Sequence, residues 1–460
     1  MKGTISMEDV PLRRFHFGVV LAGSGGQFSD GFILGIIGIA VSAAAKPMHL
    51  DATWMGLIAA ASLAGIFLGC LFGGPMADRF GRRGIFSYNM IAFALLSGAQ
   101  YFVTDPWQLL AFRVLLGVVI GADYAVGKSL VVEYLPRKSR GGLLSLFAVA
   151  WSAGYVVAYY VGYTIHNSDP GNWRLMLAVS AIPAIVVAPF RFLIPESPMW
   201  LVRKGRAAEA QANITRVFGP NVTLSSASMA PDAPKRANWS QLFSARMRRN
   251  TIVGCAFFSC QVIPYFALGT FTPKILEGLG VKDPFMGAMV YNGLMIAGAI
   301  IGVLIIDRLP RRTFILAAFY GCSAALLSLT LLQGYQTATI ALFGIFACML
   351  SAMTTLNPVY TAELFPTELR ASGAGVVIAC SRIGSAGATF LLPLAMQDFG
   401  TKTTLLACFA TLLLGGLVCQ ILAPETRNLK LAEANPGKSP DSSAMTMSLY
   451  DGNRGAKGMD

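Results

Sequence analysis

The chain has 460 residues and is 55% hydrophobic but only 13% charged, against about 25% charged in soluble domains, which makes it a polytopic membrane protein. Its net charge of +13 does not indicate nucleic acid, because the basic residues gather in every second loop between apolar spans, the pattern that sets orientation in a bilayer. The eight cysteines (70, 255, 260, 322, 348, 380, 408 and 419) all fall in apolar spans as small packing residues, and the three histidines lack metal-ligand spacing, so neither a disulfide framework nor a metal site is expected.

Residues 1–14 run straight into a full-length span, so no cleavable signal peptide is expected. A span needs about 20 apolar residues. Twelve are expected, at roughly 15–38, 54–74, 85–104, 107–134, 143–165, 173–194, 251–273, 285–306, 313–333, 336–362, 372–396 and 401–423. The predicted fold is an all-α membrane protein of two six-helix bundles, residues 1–194 and 251–423. A linker with short helices covers 195–250, and a tail expected to be disordered covers 424–460.

The loops sort by charge. Arg13 and Arg14 precede span 1, Arg79, Arg82 and Arg83 follow span 2, and Arg137, Lys138 and Arg140 follow span 4. The segment 195–249 holds nine Lys/Arg against three acids. Arg308, Arg311 and Arg312 follow span 8, and Arg370 follows span 10, while the alternate loops are short and nearly neutral. Both termini are therefore expected in the cytoplasm. In the linker, 198–218 alternates in a helical way and stops at Gly219-Pro220; the Ser/Ala/Pro stretch 221–237 reads as flexible. The Asn-x-Ser/Thr matches at Asn221 and Asn238 are chance on that side of the membrane.

The stretch RVLLGVVIGADYAVGKSLVVEYLPRKSR from Arg113 to Arg140, which begins inside span 4, carries Arg113, Asp123 and Lys128 within the apolar run and Glu133 at the end of the span. A charge at bilayer depth costs at least about 2.5–3.5 kcal/mol, so such residues face a partner or a water-filled path. Gly117 and Gly121, four apart, admit a close neighbouring helix. The end of this span recurs. Glu133 with Arg140 returns as Glu363 with Arg370, an offset of 363 − 133 = 230. Asp78 through Arg83 returns as Asp307 through Arg312, and Pro195-Glu196 as Pro424-Glu425, both offset by 229 (307 − 78; 424 − 195). One register for three motifs marks an internal duplication of a six-helix unit.

GGPMADRFGRR at 73–83, the EYLPRKSR and ELFPTELR pair, PESPMWLVRKGR at 195–206 and PETRNL at 424–429 resemble the major facilitator superfamily, and within it the sugar-porter and metabolite:proton symporter branch. The resemblance covers about residues 15–430 and is nearest to bacterial inner-membrane metabolite transporters. GADYAVG at 121–127 resembles the Gly-Asp-Tyr-Pro motif of proton-coupled phosphate and metabolite symporters. FSDGFILG at 28–35 resembles the first-helix acidic motif of carboxylate and aromatic-acid symporters, with Ile33 in place of its second acid. Departures concern the sugar site. Span 5 has no Gln, span 7 keeps only Gln261 of a polar cluster, and Pro358 replaces the Trp of span 10.

The resemblance makes Asp30 and Arg113 the proton-coupling pair. By rise per residue, Asp30 lies about 22 Å from the cytoplasmic end and Arg113 about 9 Å from the outer end, so they share a depth in a core of about 30 Å. Pairing with Arg favours the ionised carboxylate and separation favours the protonated one; the alternative is a permanent pair that only joins two helices. Asp123 is a second proton carrier or a substrate contact, against a carboxyl held by a structural hydrogen bond. Tyr124 lies near the face of Arg113. Arg382, with Ser381, stands about 16 Å deep in span 11 and suits a carboxylate or phosphate. Lys128 is a second candidate ligand contact, with snorkelling to the surface as its alternative. Gln261, Tyr265, Tyr291, Asn292, Asn357 and Tyr360 are cavity liners or helix-packing groups.

By the same resemblance, Asp78, Arg79, Arg83, Glu133, Arg140, Glu196, Asp307, Arg308, Arg312, Glu363, Arg370 and Glu425 form cytoplasmic charge networks that latch the two halves in one state. The expected protein is a monomeric inner-membrane carrier without cofactor, enzymatic chemistry or nucleic-acid partner. It takes up a small organic anion, a carboxylate, with protons by alternating access. The rivals are a sugar or polyol symporter, then a drug-exporting antiporter, then a non-transporting sensor on the same fold.

Overall fold

The computed structural model describes residues 5–136, 139–224, 239–306, 308–331, 335–365 and 369–426. Arg137, Lys138, Asp307, residues 366–368, residues 225–237 of the stretch expected to be flexible, and the expected tail beyond 426 lie outside the described residues, as does the side chain of Arg370.

A first set of helices comprises α1 (Arg14–Ala44), α2 (Ala52–Phe80), α3 (Arg82–Ala99), α4 (Pro106–Tyr134), α5 (Arg140–Ser168), α6 (Trp173–Ala178) and α7 (Ala181–Phe192). The linker contributes α8 (Pro198–Arg203) and α9 (Ala207–Phe218). A second set comprises α10 (Arg248–Thr270), α11 (Thr272–Gly278), α12 (Pro284–Ile305), α13 (Arg311–Leu331), α14 (Gln336–Thr354), α15 (Leu356–Leu364) and α16 (Arg370–Leu422).

Among the described residues, ten helical segments are long and apolar enough to cross a membrane. The last of these, Ser372–Leu422, holds two of the expected spans, because Gly400 at φ +78 breaks the rod, a conformation only glycine adopts freely. The helix α3 opens on Arg82 and Arg83 and supplies the remaining span, at 18 residues or about 27 Å. Large apolar side chains such as Leu95, Leu331 and Ile421 point outward from the bundle, where a bilayer covers them.

Local chemistry sets the helix starts. Asp51, Asp105 and Asp283 cap α2, α4 and α12 by accepting from the backbone N–H of Trp54, Trp107 and Met286 at 2.7–2.9 Å, with Pro106 and Pro284 at the first helical positions. The expected close approach at Gly117 and Gly121 is made by α2: a Cβ on either would lie 2.3 Å from the carbonyl oxygen of Ser62 or Ile66. The duplication repeats at this level. Gly69 faces the Val118 carbonyl as Gly298 faces the Cys348 carbonyl, each at 2.1 Å from an added Cβ.

The helices of each set pack mainly on one another; the sets meet through α1 with α10, α2 with α16 and α5 with α12. The end bearing Arg14, Arg82, Glu133 and Arg311 is called here the basic end. There the N-terminal strand β1 (Ile5–Ser6) pairs in parallel with β2 (Val222–Thr223) of the linker. Arg13 donates to the Phe218 carbonyl at 2.7 Å, and His16 stacks on the Phe218 ring at 5.2 Å. Hydropathy carries no signal for this clasp, since it depends on two segments more than 200 residues apart.

Candidate functional site

Between the two sets, at mid-depth, four helices bring polar and aromatic side chains together. Tyr124 and Lys128 are four apart and share a face of α4; Gln261 and Tyr265 share a face of α10 in the same way. Trp151 of α5 donates its indole N–H to the Tyr124 hydroxyl at 2.9 Å. Its ring stacks on Tyr155 at 5.5 Å and reaches across to Tyr265 and Phe266 at 6.0 and 6.1 Å. Arg382 of α16 places its guanidinium over Phe266 at 5.4 Å and over Tyr124 at 5.9 Å. Lys128 sets its Nζ over that Tyr124 ring at 5.5 Å. The lysine therefore turns back toward the membrane centre rather than snorkelling to the surface.

This is a cationic site walled by aromatic rings. Each ring face attracts a cation, and two cations share Tyr124. Nε and Nη1 of Arg382 are buried with no hydrogen-bond partner among the described residues, and so are both amide atoms of the fully buried Gln261. Such groups ordinarily find partners, so they mark a place where a ligand or water completes the structure. Sequence reasoning missed Trp151, Tyr155 and Phe266. The signal was present in the four-residue spacing of Trp151 and Tyr155 on a span searched only for glutamine.

The acids are arranged differently from expectation. The ion pair expected between Asp30 and Arg113 is not made. Arg113 is fully buried and donates instead to the Ile33 carbonyl, at 3.3 and 3.4 Å. Equal depth is only one coordinate; Ile33 lies about one turn beyond Asp30 on α1, and helix rotation decides which group Arg113 meets. Asp30 is fully buried, its Oδ2 accepts only a long 3.5 Å bond from Gln27, and its Oδ1 has no partner among the described residues. Its charged neighbours are Asp123, Arg191 and Lys128.

Both oxygens of Asp123 are taken by Arg191, Oδ2 at 2.9 Å from Nη2 and Oδ1 from Nη1. Arg191 also donates to the carbonyls of Phe86 at 2.9 Å and Ala22 at 3.3 Å, and lies over the Phe86 ring at 4.0 Å. One buried cation thus ties α1, α3, α4 and α7. The rule that singled out Arg113, a charge at bilayer depth, applies equally to Arg191 and would have found it.

Other expected contacts turn inward on the fold. The Ser381 hydroxyl donates to the Ile378 carbonyl of its own helix at 2.7 Å, and Asn292 donates to Ala288 at 2.8 Å. Tyr360 is fully buried and holds the Pro424 carbonyl at 3.1 Å at the basic end, away from the site. Tyr291 packs on Phe343 at 4.7 Å. Asn357 lies in the first turn of α15, beside the break in span 10, with its Oδ1 buried and without a partner among the described residues.

At the basic end the duplication builds one circuit twice. Glu133 pairs with Arg82 and accepts from the Ser197 hydroxyl, while Glu196 accepts from the N–H of Arg82 and Arg83 at 3.0 and 2.9 Å. Correspondingly, Glu363 lies 3.5 Å from Arg311 and accepts from the Thr426 hydroxyl, while Glu425 accepts from the N–H of Arg311 and Arg312 at 2.9 and 3.0 Å. Arg83 and Arg312 further donate to the Phe192 and Gln420 carbonyls. Each of these bonds joins residues of one set, not of both. Arg82 and Arg311, counted in the sequence only as basic loop residues, and Ser197 and Thr426 are members that sequence reasoning did not assign to these networks. Arg140 donates to the Leu135 carbonyl, Asp78 accepts from Trp200 through its backbone, Arg79 lies over Phe80, and Arg308 is exposed.

The sequence profile of the sugar (and other) transporter family matches residues 22–437. The chain belongs to this family, within the major facilitator superfamily. The transporter is 37% identical over 430 residues to the inner membrane metabolite transport protein YgcS of Escherichia coli K12, covering 94% of this chain and 96% of that protein. It is 36% identical over 440 residues to YaaU of the same organism, covering 95% and 98%. Its fold is similar to that of the xylose transporter XylE of Escherichia coli in a partially occluded inward-open form, with TM-score 0.77, 17% identity and coverage of 91% and 100%. The multi-pass helical fold and the family are those of metabolite transporters.

Proposed function

We propose that the transporter takes up a small organic anion, a carboxylate, together with protons, by alternating access across the inner membrane with both termini in the cytoplasm. The observation that carries this is Arg382, a cation at mid-depth whose buried Nε and Nη1 have no partner among the described residues, with Lys128 beside it on the Tyr124 ring. A carboxylate supplies the missing acceptors, and a guanidinium can hold it with two parallel bonds. Asp30 is the proton carrier in this reading. One of its oxygens has no partner among the described residues, and it lies in the field of Lys128. When the anion neutralises that field, proton and anion binding support each other, and linkage makes the support reciprocal. Asp123 and Arg113 serve to join helices. The basic end faces the cytoplasm by its excess of Lys and Arg.

A sugar is the second reading, favoured by one observation: both amide atoms of Gln261 have no partner among the described residues and could meet hydroxyls. Vesicles reconstituted with the transporter and an internal pH dye separate the two. Carboxylates are expected to drive proton entry in the wild type, and neither Asp30→Asn nor Arg382→Ala is expected to show it. Proton entry with neutral sugars alone refutes the anion reading.

A further inference from the structure

We infer that the transported anion is an aromatic monocarboxylate bearing a second hydrogen-bonding group on its ring, an inference that rests on the anion reading above. Two observations beyond the positive charge itself support it. The first is the wall. Trp151, Tyr155, Tyr265, Phe266 and Tyr124 come from three helices and both sets, and converge beside Arg382. Tyr155 covers one face of the Trp151 indole, yet Trp151 stays half-buried, so part of its surface is open for stacking. Phe266 touches both the Arg382 guanidinium and Trp151. A planar acid can therefore meet the arginine with its carboxylate and the indole with its ring in one pose. A hydroxyl-rich sugar would face carbon where it needs partners, and a short acyclic acid would leave the wall unused. Aromatic rings favour offset or edge contact with another ring over contact with a saturated one of the same size.

The second observation is Gln261. It lies one turn from Tyr265 on the same face of α10, is fully buried, and has neither amide atom bonded among the described residues. A carboxylate on Arg382 does not satisfy it. A ring hydroxyl or ring nitrogen does, since the amide offers both a donor and an acceptor.

The test uses the full chain in proteoliposomes with an internal pH dye. The probes are 4-hydroxybenzoate, pyridine-3-carboxylate, benzoate, cyclohexanecarboxylate, lactate, benzamide and xylose. Proton entry is expected with the aromatic acids, with an apparent KM roughly tenfold lower than for cyclohexanecarboxylate, and none is expected with benzamide. Trp151→Leu is expected to raise the KM for aromatic acids more than that for cyclohexanecarboxylate, and so to narrow the roughly tenfold preference between them. Gln261→Leu is expected to remove the preference for 4-hydroxybenzoate over benzoate. If lactate or cyclohexanecarboxylate serves as well as benzoate, the aromatic inference falls and the anion reading stands. If only xylose moves protons, both fall. The wild-type panel decides even where a variant fails to assemble.

Discussion

Asp123 and Asp30 are both shut away from solvent inside the first set of helices, a short way apart, yet their surroundings differ. Asp123 has a cation on each oxygen, and that cation is tied to two carbonyls. Removing one partner of such a pair leaves an uncompensated buried charge and costs about 3–5 kcal/mol. Asp123→Asn is therefore expected to lower the melting temperature in detergent while the surviving protein still moves protons. Gly26→Val should act the same way, because a Cβ at Gly26 would stand 1.6 Å from Nη2 of Arg191. Asp30→Asn should do the reverse, leaving stability nearly unchanged and abolishing proton movement. A stable Asp123→Asn that carries no protons would return Asp123 to the coupling role.

At the scale of the element, the two glutamates Glu196 and Glu425 act as caps supplied from a distance. Each accepts from two backbone N–H groups in the first turn of a helix more than 110 residues away, α3 in one set and α13 in the other. These helices open on arginines, the wrong charge for a helix N-terminus, and the carboxylate offsets it. Glu196→Ala and Glu425→Ala are each expected to lose about 0.5–2 kcal/mol, read as a fall in melting temperature. Because the circuits lie within separate sets, the double variant should show the sum of the two losses. A double variant no worse than the worse single one would instead show that the two circuits act together as a latch.

For the whole molecule, the contacts between the sets lie toward the end opposite the basic one. A Cβ on Gly38 would stand 1.9 Å from the Thr270 carbonyl, Tyr160 donates to the Met289 carbonyl at 3.3 Å, and His166 lies 4.6 Å from the Phe285 ring. Gly38 is glycine because the two backbones touch there. Gly38→Leu is expected to prevent this closure and shift the population toward the conformer open at that end. Hydrogen–deuterium exchange reads the shift, with faster exchange in the last turns of α5 and first turns of α12 and slower exchange at the basic end. Unchanged exchange would show that closure does not depend on this contact.

The membrane class, the helical spans, the duplicated register and the cations Lys128 and Arg382 were all legible in the sequence, because each depends on composition or spacing along one chain. A span needs only its own apolar length, a repeat only its own register, and an arginine in hydrocarbon stands out alone. Partners were not legible. Depth along two helices suggested Asp30 with Arg113, but rotation about the helix axes gave Arg113 a carbonyl and gave Asp123 the arginine of α7. The aromatic wall lay hidden in the same way, since Trp151 and Phe266 read as ordinary apolar residues until α5 and α10 face each other. Sequence specifies which residues are costly to bury; only the packing of helices from both sets decides which group meets each of them, and so what the site can bind.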